Sequence, residues 1–351
     1  MKFTLHAAGV AGGLAVAAIL SSDALMGQDA PAPTTKPYSV PRTPWGDPDL
    51  QGKWPSTDLV GVPMQRDPKL GTRNVLSEEE FKTRQEQFAR QAAQDEAEFD
   101  LEQATATPGG DVGGPVSPPP HWLERGKPQY QASLIVDPPD GRMPPFTAEA
   151  QQRQQVQRDA QAARRKELNG READTYLDRS LYDRCVTRGI AGSIRPVIYN
   201  NGNEIVQGPG WVAIRNEMIH ETRVVPLDGR PHPGPAIKTW MGTSRGRWDG
   251  PTLVVETKNF DPRTSGIGVN GGGARISDAL VVTERFTRVA GDQIDYEMHV
   301  SDPKTWTRPW TIRYPLKLDD DYGFYEYACH EGNYSMFNIL SGARAAERAP
   351  K

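Results

Sequence analysis

The chain has 351 residues, a formal net charge of −4, 36% hydrophobic side chains and two cysteines. Acidic and basic residues nearly balance and no basic block stands out, which argues against nucleic acid or an anionic membrane as the main partner and leaves small molecules and proteins. The length suits one large domain, or one domain with a substantial appendage.

Residues 1–27 read as a signal peptide: Lys2 supplies a basic start, Ala7 to Leu20 an uncharged, mostly apolar run, and Ser21, Ser22, Asp23 and Ala24 a mostly small-residue region suited to cleavage. The apolar run is shorter than the roughly 20 residues that span a bilayer. Export to the periplasm or the extracellular space is therefore expected, with no membrane attachment once the signal is removed. Residues 28–44 are rich in Pro, Ala and Thr and read as a flexible leader, because so little apolar surface cannot offset the entropy of ordering.

Residues 45–184 are expected to wrap the main domain with helical and extended segments. Trp45 and Trp54 flank a group of turn residues and should dock on that domain. Ser77 and Glu80 make a capping box that starts a helix running to about Gln103, with Phe81, Phe88, Ala92 and Phe99 as its apolar points. The Pro- and Gly-rich stretch 105–120 is loop. A short apolar strand and a turn follow at 133–142, then a mostly exposed helix at 147–168 with few large apolar side chains.

From Cys185 onward the hydrophobic period becomes 2. Strands are expected at 197–199, 204–207, 211–216, 218–225, 237–242, 246–248, 252–259, 280–287, 293–300, 310–316 and 323–328, joined by turns such as Asn200-Asn201-Gly202-Asn203 and Asp249-Gly250. Such short connections leave no room for helical crossovers, so the strands pair antiparallel. Unpaired sheet edges need protection, and closure is the simplest remedy. The expected fold is mainly β: an antiparallel lipocalin-like barrel or strongly curled sheet over 185–351, with N-terminal helices and extended segments around it and a polar, aromatic-lined interior. Cys185 and Cys329 bracket this region, and an exported protein permits either a disulfide between them or two buried thiols.

The chemistry-bearing residues cluster in the same half. His220, Glu221 and Arg223, followed across one turn by Arg230 and His232, place imidazoles, a carboxylate and guanidiniums where they can converge for acid–base catalysis or anion binding. The plainer expectation is a rim ion pair between Glu221 and Arg223, with His220 packed beside Met218 and Val224. Glu284 shares a face with Leu280, Val282 and Phe286; turned inward, its carboxylate must be paired or have a raised pKa, with Arg285, Arg313 or Arg247 as candidate partners. His330 stands just beyond an aromatic run that ends in Tyr327. Trp240, Tyr296, Trp310 and Tyr327 offer flat aromatic walls for a ligand, although core packing explains most such residues. His299 alternates onto the wet face. No HxH or HExxH spacing supports a metal, and no cofactor is expected. Gly266-Ile-Gly268-Val-Asn-Gly271 fits a dinucleotide fingerprint in letters only, since a strand and not a helix follows it.

Five segments together resemble a family of exported bacterial proteins without established activity: Ser133-Leu-Ile-Val-Asp-Pro-Pro-Asp-Gly-Arg142, Asp228-Gly-Arg-Pro-His232, Gly246-Arg-Trp-Asp-Gly250 with Thr252-Leu-Val-Val-Glu-Thr257, Thr283-Glu-Arg-Phe286, and Asp302-Pro-Lys-Thr-Trp-Thr-Arg-Pro-Trp310. The likeness spans most of the mature chain and implies no reaction and no catalytic residues. Pro251 stands where the family commonly has an acidic residue, and Gly242-Thr-Ser244 where it has Gly-His-Ser, which removes one imidazole from a His-based site.

The expectation is recognition of a small, partly apolar molecule in the barrel, with cofactor-independent lyase, isomerase or hydrolase chemistry left open. A non-catalytic periplasmic binding or scaffold protein is the alternative. In the enzymatic version a His or Glu284 is the general base and an Arg steadies the developing anion.

Overall fold

The computed structural model of the protein describes residues 38–96, 123–168, 173–263, 267, 276–329 and 334–348. The expected signal peptide, most of the leader, the loop at 105–120, nearly all of the glycine loop at 266–271, and His330 lie outside the described residues. In chain order the elements are β1 (Gly52–Lys53), α1 (Glu78–Glu96), β2 (Ile135–Asp137), α2 (Ala148–Leu168), the one-turn helix α3 (Ile190–Ile194), β3 (Asn203–Gly208), β4 (Trp211–Asn216), β5 (Thr222–Pro226), β6 (Thr243–Asp249), β7 (Thr252–Lys258), β8 (Val281–Ala290), β9 (Gln293–Ser301), β10 (Trp310–Lys317) and α4 (Ser335–Arg348). The capping box forms: Ser77 N–H donates to the Glu80 carboxylate at 2.7 Å and Glu80 N–H to Ser77 Oγ at 3.3 Å.

The strands make two antiparallel sheets, in the orders β1-β3-β4-β5 and β2-β10-β9-β8-β7-β6. The fold is thus mainly β and antiparallel, as the alternation required. The expected closed barrel is corrected: among the described residues both sheets are open, with β1 and β5 the edges of one and β2 and β6 the edges of the other, and neither is strongly curled. Edge protection is achieved in other ways. β1 has two residues and β2 three, so little unpaired backbone is offered. β5 and β6 meet without strand hydrogen bonds at Gly246, where a Cβ would lie 2.5 Å from Leu227 Cδ2 and 2.8 Å from Val225 Cγ1.

Three expected strands are absent, and side chains explain two of them. At 197–199 the Asn201 amide accepts Val197 N–H at 2.7 Å and donates to Val197 O at 2.6 Å, taking the backbone groups a ladder would use. At 323–328 Tyr325 N–H is taken by the Glu217 carboxylate at 3.2 Å. The segment 237–242 contributes only an isolated bridge between Thr239 and Phe260. The strand expected from 218 starts later, because Ile219 and His220 adopt φ values of 57° and 45° in a 3-10 turn at Met218–His220.

The sheets face each other across one core to which Val212, Ile214 and Val225 contribute from the first, and Leu253, Val282, Phe286, Met298 and Ile312 from the second. On adjacent strands Phe286 pairs with Tyr296, and Tyr296 with Tyr314; the ring centres are 4.9 and 5.1 Å apart. The space between the sheets is therefore filled by side chains instead of forming a wide hollow, and the cavity bordered by α3 measures about 10 Å³. Cys185 and Cys329 form a disulfide with a Cα separation of 5.8 Å.

Candidate functional site

Alternation along β8 turns Val282, Glu284 and Phe286 inward, and alternation along β5 turns Arg223 inward from the opposing sheet. The Glu284 side chain is 0% exposed, and Arg223 holds it in a fork with contacts of 2.5 and 2.9 Å. Tyr296 completes the group by donating its hydroxyl to Glu284 Oε1 at 3.0 Å. Burial alone would lower the Arg223 pKa, but attraction and hydrogen bonding from Glu284 outweigh it and raise it. Burial, reinforced by the Glu284 charge, holds the Tyr296 phenol well above its ordinary range. The suggested partners of Glu284 are corrected. Arg285 binds Asp249 at 3.0 Å and Arg313 binds Asp295 at 2.6 Å, since both alternate to the opposite face, and Arg247 is exposed on β6.

The expected rim pair between Glu221 and Arg223 does not form. The left-handed turn at Ile219 and His220 swings Glu221 toward α3, where its carboxylate accepts hydrogen bonds from Thr187 Oγ1, from Ser193 Oγ at 2.5 Å and from the Arg188 backbone N–H. A β-branched residue with positive φ is held at a cost of about 1–3 kcal/mol, and burial of Met218 and Ile219 anchors this one. Desolvation raises the Glu221 pKa against the opposing pull of its hydroxyl donors and of Arg223. His220 is exposed, as is Val224, and its Nδ1 lies 2.9 Å from the Tyr327 carbonyl oxygen.

Two arginines flank α3. Arg188 is 7% exposed and Arg195 5%. Neither guanidinium makes a hydrogen bond or ion pair among the described residues, and Arg188 Nε and Nη1 and Arg195 Nε are enclosed without a partner. Burial, then the Arg188 charge, lowers the Arg195 pKa. The Arg188 guanidinium lies 5.1 Å from the centre of the Tyr182 ring. The Tyr182 hydroxyl is 2.9 Å from that of Tyr199 and 3.2 Å from that of Tyr327. Burial pushes Tyr182 and Tyr199 up to about 12 and also raises Tyr327, so all three are protonated donors at neutral pH. Tyr314 donates to Ile194 O at 3.0 Å and packs at a tilt of 57° against Tyr296, linking α3 to the Glu284 group. The disulfide clamps this end, with Cys185 three residues before Arg188 and Cys329 two after Tyr327.

Of the sequence candidates, Glu221, Arg223, Glu284 and Tyr296 come together inside, with His220 and Tyr327 at the rim. The others do not join them. His232 sits at the open end of β6, 3.2 Å from Thr243 Oγ1 and 3.2 Å from the Glu256 carboxylate, and burial lowers its pKa. Trp310 is 0% exposed and packs edge-on against Trp306 at 5.6 Å, a core role that offers a ligand no face. Trp240 borders the small cavity along α3, with the Arg263 guanidinium 5.0 Å from its ring centre.

Thr187, Arg188, Ser193, Arg195, Tyr182 and Tyr199 were missed. One signal was available: no Asp or Glu lies between Asp183 and Glu204, although Arg184, Arg188 and Arg195 do. Among the described residues no group of three or more His, Cys, Asp and Glu is placed to hold a metal, and no helix is long and apolar enough to cross a membrane. No family model matches the chain, and neither a curated protein nor a solved structure shows detectable similarity to it. Chemically the arrangement offers one carboxyl tuned toward its protonated form, three hydroxyl donors and an excess of positive charge at one end of an otherwise apolar core.

Proposed function

We propose that this is an exported protein, akin to the bacterial family its segments resemble, that recognises a small, partly apolar molecule at the α3 end of its two sheets. The observation that carries this reading is Glu221: a half-buried carboxyl, hydrogen-bonded by Thr187 and Ser193 and raised in pKa by burial. Perturbed titratable groups gather at functional sites because a function maintains what stability alone would remove. In this reading the ligand lies at the end of facing antiparallel sheets, without the barrel closure of a lipocalin. Ile190, Trp240, Phe260, Leu280 and Val282, which now close on a cavity of about 10 Å³, part to supply apolar contact, while Glu221 supplies a proton donor or acceptor for cofactor-independent chemistry. His220, at the mouth, contributes to entry and not to the enclosed chemistry.

The test is mass spectrometry of small molecules extracted from the purified exported protein. The wild type should carry a defined organic compound that Glu221→Gln and Ser193→Ala retain at least tenfold less well while melting at or above the wild-type temperature. Absence of any enriched compound, or equal retention by the variants, sinks the proposal.

A further inference from the structure

The buried arginines of this protein are treated unequally. Arg66 is 1% exposed, and its guanidinium reaches Pro139 O at 2.6 Å, Asn74 Oδ1 at 2.7 Å, and Gly71 O and Ile135 O at 3.4 Å each. Arg223 has its fork on Glu284. Arg188 and Arg195 are also buried, Arg188 lies close enough to disfavour the charge on Arg195, and neither has a hydrogen-bond acceptor among the described residues. An unpaired buried guanidinium is strongly unfavourable, and two side by side are more so.

The surroundings point to what is missing. At this end the guanidiniums of Arg188, Arg195 and Arg223 stand against two carboxyls, Glu284 and Glu221, and burial draws Glu221 toward its neutral form. Three tyrosine hydroxyls serve two hydroxyl-to-hydroxyl contacts, and the remaining contact, Tyr182 to Met218 Sδ at 3.7 Å, is weak, so a donor proton is to spare. The excess is therefore of positive charge and of donors, and its complement is an anion that accepts several hydrogen bonds. Guanidinium forks match the planar oxygens of a carboxylate, and Ile190, Phe260, Leu280 and Val282 present apolar side chains along α3, where the present cavity of about 10 Å³ must widen to admit an organic body.

We infer that Arg188 and Arg195 together bind the carboxylate of a small organic acid, with the Tyr182, Tyr199 and Tyr327 hydroxyls as neutral donors beside it. This rests on the reading that the α3 end takes a ligand, and it specifies the ligand's charged group. The disulfide then has a binding role: it joins the segment carrying Arg188 to the segment carrying Tyr327, so the donors are arranged before the acid arrives.

The experiment is titration of the purified full-length mature protein with sodium acetate, sodium benzoate, sodium sulfate and sodium chloride at matched ionic strength, followed by calorimetry and by thermal melting. Benzoate, and more weakly acetate, should bind and raise the melting temperature above the chloride control. Arg188→Gln and Arg195→Gln should each weaken benzoate binding at least tenfold, while the surface substitution Arg308→Gln leaves it unchanged. Without added anion, Arg188→Gln should melt no lower than the wild type, whereas a purely structural arginine would be missed. Equal behaviour of all four salts with the wild type overturns the inference, and this measurement needs no variant to fold. Retention of benzoate binding by Arg188→Gln overturns it as well. Binding of sulfate but of neither carboxylate overturns the organic-acid assignment. A co-purifying compound lost in Glu221→Gln but indifferent to Arg188→Gln would sink this inference alone and leave the proposed function standing.

Discussion

Removing the negative partner of the core ion pair should be among the most damaging single changes in this protein. Glu284→Gln keeps the shape of the side chain but leaves Arg223 facing a neutral amide at 0% exposure, with the Tyr296 hydroxyl still aimed at the same spot. Unit charges about 4 Å apart at an effective dielectric near 20 attract by about 4 kcal/mol. Stripping one member from a buried pair typically costs about 3–5 kcal/mol, because the other is left uncompensated. Glu284→Gln should therefore lose about 3–5 kcal/mol in urea unfolding, with an unchanged dependence on denaturant. Arg223→Met should lose a similar amount. The double variant Arg223→Met with Glu284→Leu should recover most of the loss, since well-packed hydrocarbon of similar volume replaces a buried pair at little net cost. The double-mutant cycle should give a coupling of at least about 2 kcal/mol. A Glu284→Gln loss under about 1 kcal/mol, or a double variant as unstable as the sum of the singles, would show that the inward placement of both groups is mistaken.

Glu221 makes a pH-dependent prediction. Its folded pKa is raised above the ordinary 4.5, so the folded state binds its proton more tightly than the unfolded chain does. That contribution to stability is complete below 4.5 and is lost as pH rises through the folded pKa. Glu221→Gln should match or exceed wild-type stability at about pH 8 and lose that advantage toward pH 4, read from urea midpoints across pH; a pH-independent difference would refute an enclosed carboxyl. The disulfide joins residues 144 apart, and in the chain-entropy model opening such a loop costs about 5 kcal/mol. Reduction should lower the melting temperature and expose two titratable thiols, whereas two free thiols in the oxidised, native protein would contradict the pairing. Gly246→Ala should destabilise by about 1–3 kcal/mol, because the new methyl meets Leu227 and Val225 where β5 and β6 approach. Gly291→Ala, at a site with nothing within 4 Å, is the control and should be nearly neutral in the same denaturation assay.

Much of the fold was legible because its signals are local. A period of 2 in 211–216, 252–259, 293–300 and 310–316 marks β4, β7, β9 and β10 within a residue or two, and the Ser77 and Glu80 box marks the start of α1. The same alternation put Glu284 on one face with Leu280, Val282 and Phe286, the face the structure turns inward, and His299 on the wetter face of its own strand, because a strand's facing is decided residue by residue. Its partner was not legible. Arg223 lies 61 residues away and on the other sheet, and nothing within β8 distinguishes it from Arg285 next door. Closure likewise depends on how distant edges meet, and at Gly246 two edges approach without pairing.

The candidate site divides along the same line. Composition and alternation alone determined an antiparallel β protein in which Glu284 shares a face with apolar residues, since the facing of a strand follows from neighbours along the chain. Only the tertiary structure decided that α3, five apolar or small residues starting two after Arg188, is buried against the sheets and brings Arg188, Arg195, Glu221 and three tyrosines into one neighbourhood. Those groups come from three separate stretches of chain, around 182–199, 221 and 327, and the free energy of packing that joins them has no signature in any one of them.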